Sequence, residues 1–243
     1  MRLTRSHVDL PLRVGEEIAL PEDVAAHLLR VLRLQVGDAC VLFNGDGHDY
    51  DARITAVGKR DARASVLAAR RVDNESPLRI SLLQGIARGE KMDWILQKAT
   101  ELGVARILPA CSERSEVRLD AQRAEKRLAH WRGILVSACE QSGRASLPEI
   151  VAPCELAQAA GLRAGPGFIL DPEAGESLTS LRGASLRECT LAIGPEGGWS
   201  PRDRERLLAA GYTGLRLGPR VLRTETAGIA AIAALQALCG DLG

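Results

Sequence analysis

A cluster of charged and hydroxyl side chains precedes an apolar run near the end of the chain, in the segment LGPRVLRTETAGIAA, residues 217–231. Either threonine of the cluster can cap a helix that begins there, and Glu225 suits the positive end of that helix. Capping leaves Arg220 and Arg223 unexplained, because a cation is unfavourable at a helix N-terminus. An anionic ligand, or an ion pair with Glu225 or Glu196, would account for both arginines. The cluster therefore predicts a capped helix start, a binding site built on it, or both.

A second chemically informative segment is the glycine-rich run IGPEGG, which follows an apolar stretch and precedes a helical pattern. Gly194, Gly197 and Gly198 allow a ligand to approach the backbone closely and expose N–H donors. The run matches neither the dinucleotide fingerprint nor the triphosphate-binding loop. A tight strand-to-helix turn and a ligand-binding loop are both compatible with this spacing.

The segments between these motifs predict two domains. Residues 1–72 contain short strand-like runs separated by Gly, Asp and Asn, with one amphipathic helix over 21–34 whose apolar stripe is Val24, Leu28, Val31 and Leu32. Residues 73–243 alternate helical patterns with short apolar runs, which predicts an α/β sheet covered by helices on both faces. The predicted strands of this second domain are 79–85, 105–110, 167–171, 190–194 and 214–218.

Three of these predicted strands end in loops of small residues, at 170–175, 192–200 and 216–228. In a parallel sheet, ligands bind beyond the carboxyl ends of the strands. The three loops are therefore the candidate site, and the two motifs above lie in two of them.

Composition limits the classes of function. The 243 residues carry 32 basic and 31 acidic side chains, a formal charge of +1, so binding to nucleic acid through net charge alone is excluded, although a local basic patch is not. The six cysteines are scattered without metal-ligand spacing, so we expect no metal site, no disulfide framework and a reducing cytoplasm. Neither a signal peptide nor a membrane-spanning run is indicated.

Taken together, the motifs resemble a known family. The segments RGEKMDWILQKATELGV, ACEQSGR, IGPEGGWSPRD and LGPRVLRTETA occur in this order, and MRLTRSHV and HLLRVLRLQVGD precede them. They closely resemble the bacterial 16S ribosomal RNA uridine N3-methyltransferases of the SPOUT superfamily, over essentially the whole chain. The resemblance implies an N-terminal PUA-like β-barrel that binds RNA and a C-terminal SPOUT α/β domain with a trefoil knot. Sequence patterning would not predict a knot, because knots are nearly absent from proteins.

The resemblance also implies a cofactor, a substrate and an assembly. The cofactor is S-adenosylmethionine, with S-adenosylhomocysteine as product, the substrate is one uridine of 16S rRNA in the small ribosomal subunit, and the enzyme is a homodimer. The implied cofactor-binding residues are Leu170, Gly194, Pro195, Glu196, Gly197, Leu217, Gly218, Leu222, Thr224, Thr226 and Ala227. The implied RNA-binding residues are Arg5, Arg30, Arg33, Arg88, Lys91, Arg144 and Arg220. Asp171 stands where His-Pro is expected in some relatives, and no family role is implied for Trp199.

Uridine N3 carries a proton at neutral pH, so its methylation requires a proton acceptor and stabilisation of the uracil anion. The hypothesis is that Arg223 stabilises the charge on O2 and O4, while Glu225 takes the proton or orients Arg223. No metal is needed, because a sulfonium already supplies a good leaving group.

Three other functions fit parts of the sequence. They are a related methyltransferase acting on a ribose 2′-hydroxyl or another RNA, a non-enzymatic ribosome-assembly factor of the same fold, and a phosphate-binding metabolic enzyme. The intact glycine and Arg-Thr-Glu-Thr motifs argue against the assembly factor, and the β-rich N-terminal part argues against the metabolic enzyme. The near-neutral charge predicts that a folded ribosomal particle is a better substrate than free RNA.

Overall fold

The computed structural model describes residues 3–59, 61–115 and 121–243. By its internal contacts the chain forms two compact units. Unit 1 comprises Met1–Glu75 together with Cys139–Leu147, and unit 2 comprises Ser76–Ala138 with Pro148–Gly243. The segment Cys139–Leu147 thus groups with the N-terminal strands, although the predicted division at residue 72 assigned it to the second domain. The domain bounds 1–72 and 73–243 stay a prediction.

Unit 1 is built on a five-stranded sheet. Its strands are β1 (Arg5–His7), β2 (Glu17–Ala19), β3 (Ala39–Phe43), β4 (His48–Val57) and β5 (Ala62–Arg71), in the order β1-β3-β4-β5-β2. The β1–β3 pair is parallel and the other pairs are antiparallel. Alternate residues of the long strands, such as Ala52 and Ile54, enter a core that Leu28 of the helical segment completes. The strand-and-turn prediction for this part of the chain is confirmed.

The predicted helix over 21–34 is irregular. A short helix α1 (Glu22–Ala26) continues into a π-helical turn over His27–Val31, in which the Leu32 N–H donates to the His27 carbonyl five residues earlier. A π-helical turn inserts extra residues and so rotates the following side chains away from the stripe of a regular helix. Leu28 is fully buried, but Val31 is 66% exposed, so the prediction of one continuous apolar stripe was wrong.

Unit 2 contains a seven-stranded parallel sheet with helices between the strands. The strands are β6 (Arg79–Gly85), β7 (Arg106–Cys111), β8 (Glu149–Ile150), β9 (Cys154–Glu155), β10 (Gly167–Leu170), β11 (Glu188–Ile193) and β12 (Tyr212–Leu215). The helices are α2 (Glu90–Glu101), α3 (Ala121–Ser142, whose last residues belong to unit 1), α4 (Leu156–Gly161), α5 (Pro201–Ala209) and α6 (Thr224–Cys239). The strand order is β12-β10-β11-β6-β7-β8, and β9 pairs with β7.

Two hydrophobic clusters lie on opposite faces of this sheet. Leu82 belongs to the cluster formed with α2, α3 and α6, whereas its neighbour Leu83 belongs to the cluster formed with α4 and α5. Successive strand residues point to opposite faces, so each apolar strand is buried on both sides. The prediction of an α/β sheet with helices on both faces is confirmed.

Local start and stop signals explain some of the element ends. Helix α5 begins with a capping box, in which the Ser200 side chain accepts from the Asp203 N–H and the Asp203 carboxylate accepts from the Ser200 N–H. Gly103 takes a left-handed φ of 81° after α2, a conformation that glycine commonly adopts at the end of a helix. The last strand differs from the prediction of 214–218, because β12 spans Tyr212–Leu215 and the chain then leaves the edge of the sheet.

Candidate active site

The three predicted site loops meet at one edge of the unit 2 sheet. Strands β12, β10 and β11 are adjacent and parallel, so their carboxyl ends lie side by side. The loops that follow these strands comprise residues 171–177, 194–200 and 216–223, and helix α6 begins directly after the last of them. The structure therefore brings together the glycine-rich run and the Arg-Thr-Glu-Thr cluster.

The start of α6 is fixed by a contact with the glycine-rich loop and not by a side-chain cap. Arg223 occupies the N-cap position without a capping hydrogen bond from its side chain. The Thr224 hydroxyl, which is buried, donates to the Gly194 carbonyl at 2.5 Å. Thr226 is exposed. The expectation that one of the two threonines caps the helix was wrong, because Thr224 already lies inside the first turn and its hydroxyl bonds to another loop.

Gln84 joins the same contact, although the sequence analysis did not select it. It stands at the end of β6 and is fully buried. Its side-chain N–H groups donate to the Gly194 carbonyl at 3.4 Å, to the Thr224 hydroxyl at 3.2 Å and to the adjacent Gly85 carbonyl at 2.9 Å. A glutamine in the apolar run RISLLQG was the signal that could have identified it, since buried amides require partners.

Glycines in these loops allow close backbone approaches. A Cβ at Gly85 would lie 2.5 Å from Cδ and 2.7 Å from N of Pro195, so β6 and the glycine-rich loop are in direct backbone contact. Gly198 and Gly218 have left-handed φ values of 66° and 69°, and a Cβ at either position would meet no atom within 4 Å. These two glycines therefore border open space at the strand ends, where a ligand can contact the main chain.

Glu196 in the glycine-rich loop is bound from the α2 side. Its Oε1 atom accepts from the Arg88 N–H at 3.1 Å and lies 3.3 Å from the Lys91 ammonium. Partial burial raises the pKa of this carboxyl, but backbone N–H donors and Lys91 outweigh burial, so the pKa lies below its ordinary value. Of the two carboxylates proposed to pair with the site arginines, Glu196 instead pairs with Lys91.

The predicted catalytic pair flanks Thr224. Arg223 is exposed, whereas Glu225 is half-buried in the first turn of α6. The Glu225 Oε2 atom is enclosed and has no hydrogen-bond partner within the described part of the chain. A carboxylate oxygen accepts protons and hydrogen bonds, but an enclosed one meets a ligand only after the side chain rotates.

The remaining predicted cofactor-binding residues differ in how far they are buried. Leu170, Leu217 and Ala227 are half-buried and pack against the core cluster of α2, α3 and α6. Leu222 is half-buried, Pro195 is buried, and Gly197 and Gly218 are exposed.

Asp171 closes the first loop and attaches it to α5. Its Oδ1 atom accepts from the Glu173 N–H at 3.0 Å, and its carboxylate forms an ion pair with Arg204. A cavity of about 300 Å³ lies beside this ion pair, lined by Ile169, Asp171, Ala174, Gly175, Glu176, Arg204, Leu208 and Gly214. None of the predicted cofactor-binding residues lines it.

Trp199 is buried in the core cluster of α4 and α5.

The predicted RNA-binding arginines divide by exposure. Arg30 and Arg33 are exposed on unit 1, and Arg33 has a left-handed φ of 59°. Arg88 and Arg220 are exposed on unit 2. Exposure at each of these four positions suits contact with phosphate groups.

Arg5 and Arg144 differ from that expectation, because both side chains are enclosed in unit 1. The Arg5 guanidinium is 6% exposed, pairs with Asp49 at 2.6 Å and donates to the Cys139 carbonyl at 2.8 Å. The Arg144 side chain is 5% exposed and pairs with Glu75 at 2.6 Å. These contacts hold the segment Cys139–Leu147 in unit 1, so the two arginines are structural, and the prediction that they face RNA needs correction.

Among the described residues, no three His, Cys, Asp or Glu side chains converge in a way that could hold a metal ion. Within the same residues, no helix has the length and apolar character required to cross a bilayer.

Comparison with known proteins shows which protein families the two parts of the chain resemble. A family model described as an RNA methyltransferase domain matches residues 74–236, and one described as an RNA methyltransferase PUA domain matches residues 20–67. Ribosomal RNA small subunit methyltransferase E of Buchnera aphidicola subsp. Schizaphis graminum is 32% identical over 99% of this chain and 98% of its own length. The Bacillus subtilis protein of the same name is 30% identical over 86% of this chain and 85% of its own.

Two solved structures are similar over the full length of both chains. Ribosomal RNA small subunit methyltransferase E from Neisseria gonorrhoeae, bound to S-adenosyl methionine, has a TM-score of 0.91 and 39% identity. A putative methyltransferase from Legionella pneumophila, in complex with the same cofactor, has a TM-score of 0.94 and 36% identity. The N-terminal unit is thus PUA-like and the parallel-sheet unit is a methyltransferase domain. The chain belongs to the ribosomal RNA small subunit methyltransferase E family.

Proposed function

We propose that this enzyme transfers the methyl group of S-adenosylmethionine to N3 of one uridine in the 16S rRNA of the small ribosomal subunit, releasing S-adenosylhomocysteine. The observation that carries the proposal is the meeting of three strand-end loops at the start of α6, which puts Arg223 and Glu225 beside a glycine-rich backbone. Such a substrate is available in the cytoplasm, where we expect the protein to act.

The site has the features that this cofactor requires. Gly198 and Gly218 border open space, so main-chain groups can contact a ligand without obstruction by a side chain. Leu170, Leu217 and Ala227, which are apolar and half-buried, would supply an apolar floor for the adenine and the methionine chain. The Neisseria and Legionella relatives, which are solved with this cofactor, support the assignment. When bound, the cofactor supplies an electrophilic sulfonium methyl group.

The remaining cofactor contacts follow from the positions of the predicted residues. The loop of Gly194, Pro195, Glu196 and Gly197 and the segment from Leu217 to Leu222 would enclose the ligand, largely through backbone groups. Thr224 contributes by fixing the Gly194 carbonyl, since its hydroxyl is occupied by that bond. Thr226 is exposed and would reach the ligand only from the rim of the site.

The chain's own residues would handle the charge and the proton of the uracil. Arg223 is exposed at the N-cap position, where its guanidinium can stabilise negative charge that develops on O2 and O4. Glu225 would accept the N3 proton with its carboxylate, whose Oε2 atom has no partner in the described residues and would become accessible by rotation of the side chain. Binding of both reactants at this position orients N3 toward the methyl group.

Exposed arginines would position the RNA. On unit 1 these are Arg30 and Arg33, and on unit 2 they are Arg88 and Arg220. Lys91 is bound to Glu196, so its main effect would be to hold the glycine-rich loop. The formal charge of +1 supports a folded subunit as substrate, because few phosphate contacts are available for free RNA.

A homodimer is proposed from the surface of unit 2. Helix α6 is apolar along most of its length, yet Ile229, Ala230 and Ala233 are only half-buried. Val221 is 83% exposed and Trp94 is 46% exposed. A second copy that covers such surfaces would remove apolar area from water. Sedimentation velocity at micromolar concentration is expected to give twice the chain mass of 26.0 kDa.

The path of the chain supports a trefoil knot. After β12 at the edge of the sheet, the chain passes β10 and reaches the end of β11, where Thr224 contacts Gly194. Helix α6 then packs against α2. A chain that returns in this way across its earlier loops can pass through one of them.

Calorimetric titration with S-adenosylmethionine tests the cofactor assignment. We expect one ligand per chain, and a Gly218→Ala variant with affinity lowered at least about tenfold, because its Cβ would enter the ligand space. Gly183→Ala is the matched control, since Gly183 has a φ of 78° and equally open surroundings in a turn outside the site. Absence of binding by the unaltered protein, or equal affinity of the two variants, would contradict the assignment.

A further inference from the structure

Gln84 is a polar residue in a position that the fold otherwise fills with apolar side chains. Strand β6 is buried from Ile80 onward, and Ile86 and Ala87 beyond its end are also buried. Burial of a primary amide is unfavourable unless its polar atoms are hydrogen-bonded. Its presence therefore requires an explanation in terms of the bonds it makes.

The bonds of Gln84 join three elements that are far apart in the sequence. The side-chain N–H groups donate to the Gly194 carbonyl after β11 and to the Thr224 hydroxyl at the start of α6. Thr224 itself donates to the same Gly194 carbonyl, so the three residues form a closed triangle of hydrogen bonds. On the next turn of α6, a Cβ at Gly228 would lie 3.8 Å from Gln84 Oε1, so the helix packs directly on this amide.

We propose that Gln84 is a positioning residue of the methyl-transfer site, which fixes the glycine-rich loop and the start of α6 at one separation. This inference rests on the proposed function, because the elements joined are the proposed cofactor loop and the turn that carries Arg223 and Glu225. In this role Gln84 would not need to contact the cofactor or the uracil. It acts through the Gly194 carbonyl and the Thr224 hydroxyl.

Within the described residues, only the nitrogen end of the Gln84 amide is hydrogen-bonded. The effect of this residue on the geometry of the site can therefore be measured separately from its effect on the stability of the fold. Its Oε1 atom is buried and accepts no hydrogen bond from any residue that the structure describes. Replacement by leucine therefore removes an unsatisfied buried acceptor together with the donor bonds, and the two effects on stability oppose each other. The effect on the geometry of the site is not offset in this way.

A second buried glutamine provides a matched control. Gln236 lies toward the other end of α6 and is also fully buried. It accepts from the Ser76 hydroxyl at 2.6 Å and donates to the Leu102 carbonyl at 3.0 Å, so both ends of its amide are bonded. Gln236→Leu should therefore lower thermal stability while leaving the site intact.

The experiment compares Gln84→Leu with Gln236→Leu. Cofactor affinity is measured by titration with S-adenosylmethionine, kcat on unmodified small ribosomal subunits, and thermal unfolding in the absence of ligand. We expect Gln84→Leu to lower kcat, cofactor affinity or both by about tenfold, the size expected for one to two lost hydrogen bonds. Its melting temperature should remain close to that of the unaltered protein, whereas Gln236→Leu should show the reverse pattern.

Thr224 gives an independent route to the same answer if Gln84→Leu does not fold. Thr224→Val removes the hydroxyl, keeps the size of the side chain and should reproduce the loss. If Gln84→Leu does fold, it should add little to Thr224→Val in the double variant, because the two residues act through one set of bonds. Unchanged kcat and affinity in Gln84→Leu, fully additive losses, or a loss that only follows a lowered melting temperature would overturn the inference.

Failure of this inference is distinct from failure of the proposed function. If the unaltered protein neither binds S-adenosylmethionine nor methylates subunits, the function is contradicted and Gln84 has no such site to position. If the unaltered protein does both and Gln84→Leu does both equally well, only the role of Gln84 is overturned.

Discussion

The hydroxyl of Thr224 donates a 2.5 Å hydrogen bond to the carbonyl oxygen of Gly194, across 30 residues of sequence. This bond links the helix that carries Arg223 and Glu225 to the glycine-rich loop that follows β11. The separation between the two therefore depends on packing at the ends of β6 and β11. Substitutions that move this packing should affect methyl transfer even though they alter no reacting group.

Two glycine-to-alanine changes near this bond should have opposite outcomes. Gly85→Ala introduces a Cβ 2.7 Å from the backbone N of Pro195, so the glycine-rich loop must shift. Gly228→Ala meets its nearest neighbour, an Ile193 side-chain atom, at 3.7 Å, an ordinary contact, and gains up to about 1 kcal/mol of helix propensity. We expect Gly85→Ala to lose cofactor affinity and stability, and Gly228→Ala to keep both. Titration calorimetry and thermal unfolding check this pair, and equal behaviour would contradict the close approach at Gly85.

Glu225→Gln should abolish most of the methyl transfer while leaving cofactor binding intact. A glutamine keeps the size of the side chain but cannot accept the N3 proton, so the expected loss in single-turnover rate is about 10²–10⁴-fold. Glu205→Gln, an exposed carboxylate on α5, is the control and should keep the full rate. An undiminished rate in Glu225→Gln with normal cofactor affinity would eliminate Glu225 as the base.

Alanine substitution at Arg5 and at Arg30 should distinguish an arginine that stabilises the fold from one that contacts RNA. Arg5→Ala leaves the Asp49 carboxylate without its buried partner, so the free energy of unfolding should fall by about 3–5 kcal/mol. Arg30→Ala is exposed and should change stability by less than about 0.5 kcal/mol, but it should weaken subunit binding and lower the salt slope by about 1. Chemical denaturation and binding at several salt concentrations measure both effects. A fully stable Arg5→Ala protein with weakened RNA binding would restore the original prediction for Arg5.

The ion pair between Glu196 and Lys91 should make the stability of the protein depend on pH in a defined way. Because the folded-state pKa of this carboxyl is below its ordinary value of 4.5, its stabilising effect is complete above that pH and is lost as the pH falls through the folded value. The stability difference between the unaltered protein and Glu196→Gln should therefore be constant from about pH 8 to about pH 5 and should decline below. The side chain is 29% exposed, so the difference should not exceed about 1 kcal/mol. A difference that grows toward acid pH would contradict this assignment.

Features encoded by neighbouring residues could be predicted from the sequence. The buried strand Arg79–Gly85, the stop at Gly103 and the capping box of Ser200 and Asp203 depend on periodicity, chirality and contacts within one turn. The meeting of the three candidate loops could also be predicted, since loops after adjacent parallel strands lie at one edge of the sheet.

Features that depend on distant partners could not be predicted in this way. Gln84 bonds to a hydroxyl 140 residues away, and Arg5 bonds to a carboxylate 44 residues away. Nothing local distinguishes the enclosed Arg5 from the exposed Arg30. The π-helical turn at His27–Val31 shifts the apolar stripe by an amount that a regular helical period does not describe.

Methylation of unmodified small ribosomal subunits, followed by nucleoside mass spectrometry, tests the central claim most directly. With S-adenosylmethionine as methyl donor, we expect one 3-methyluridine per subunit, and far less product from a short free hairpin of the same sequence. A 2′-O-methylated nucleoside or a methylated base other than uracil would contradict the proposed reaction. Normal binding of the cofactor without any methylated product would instead favour a non-enzymatic assembly factor.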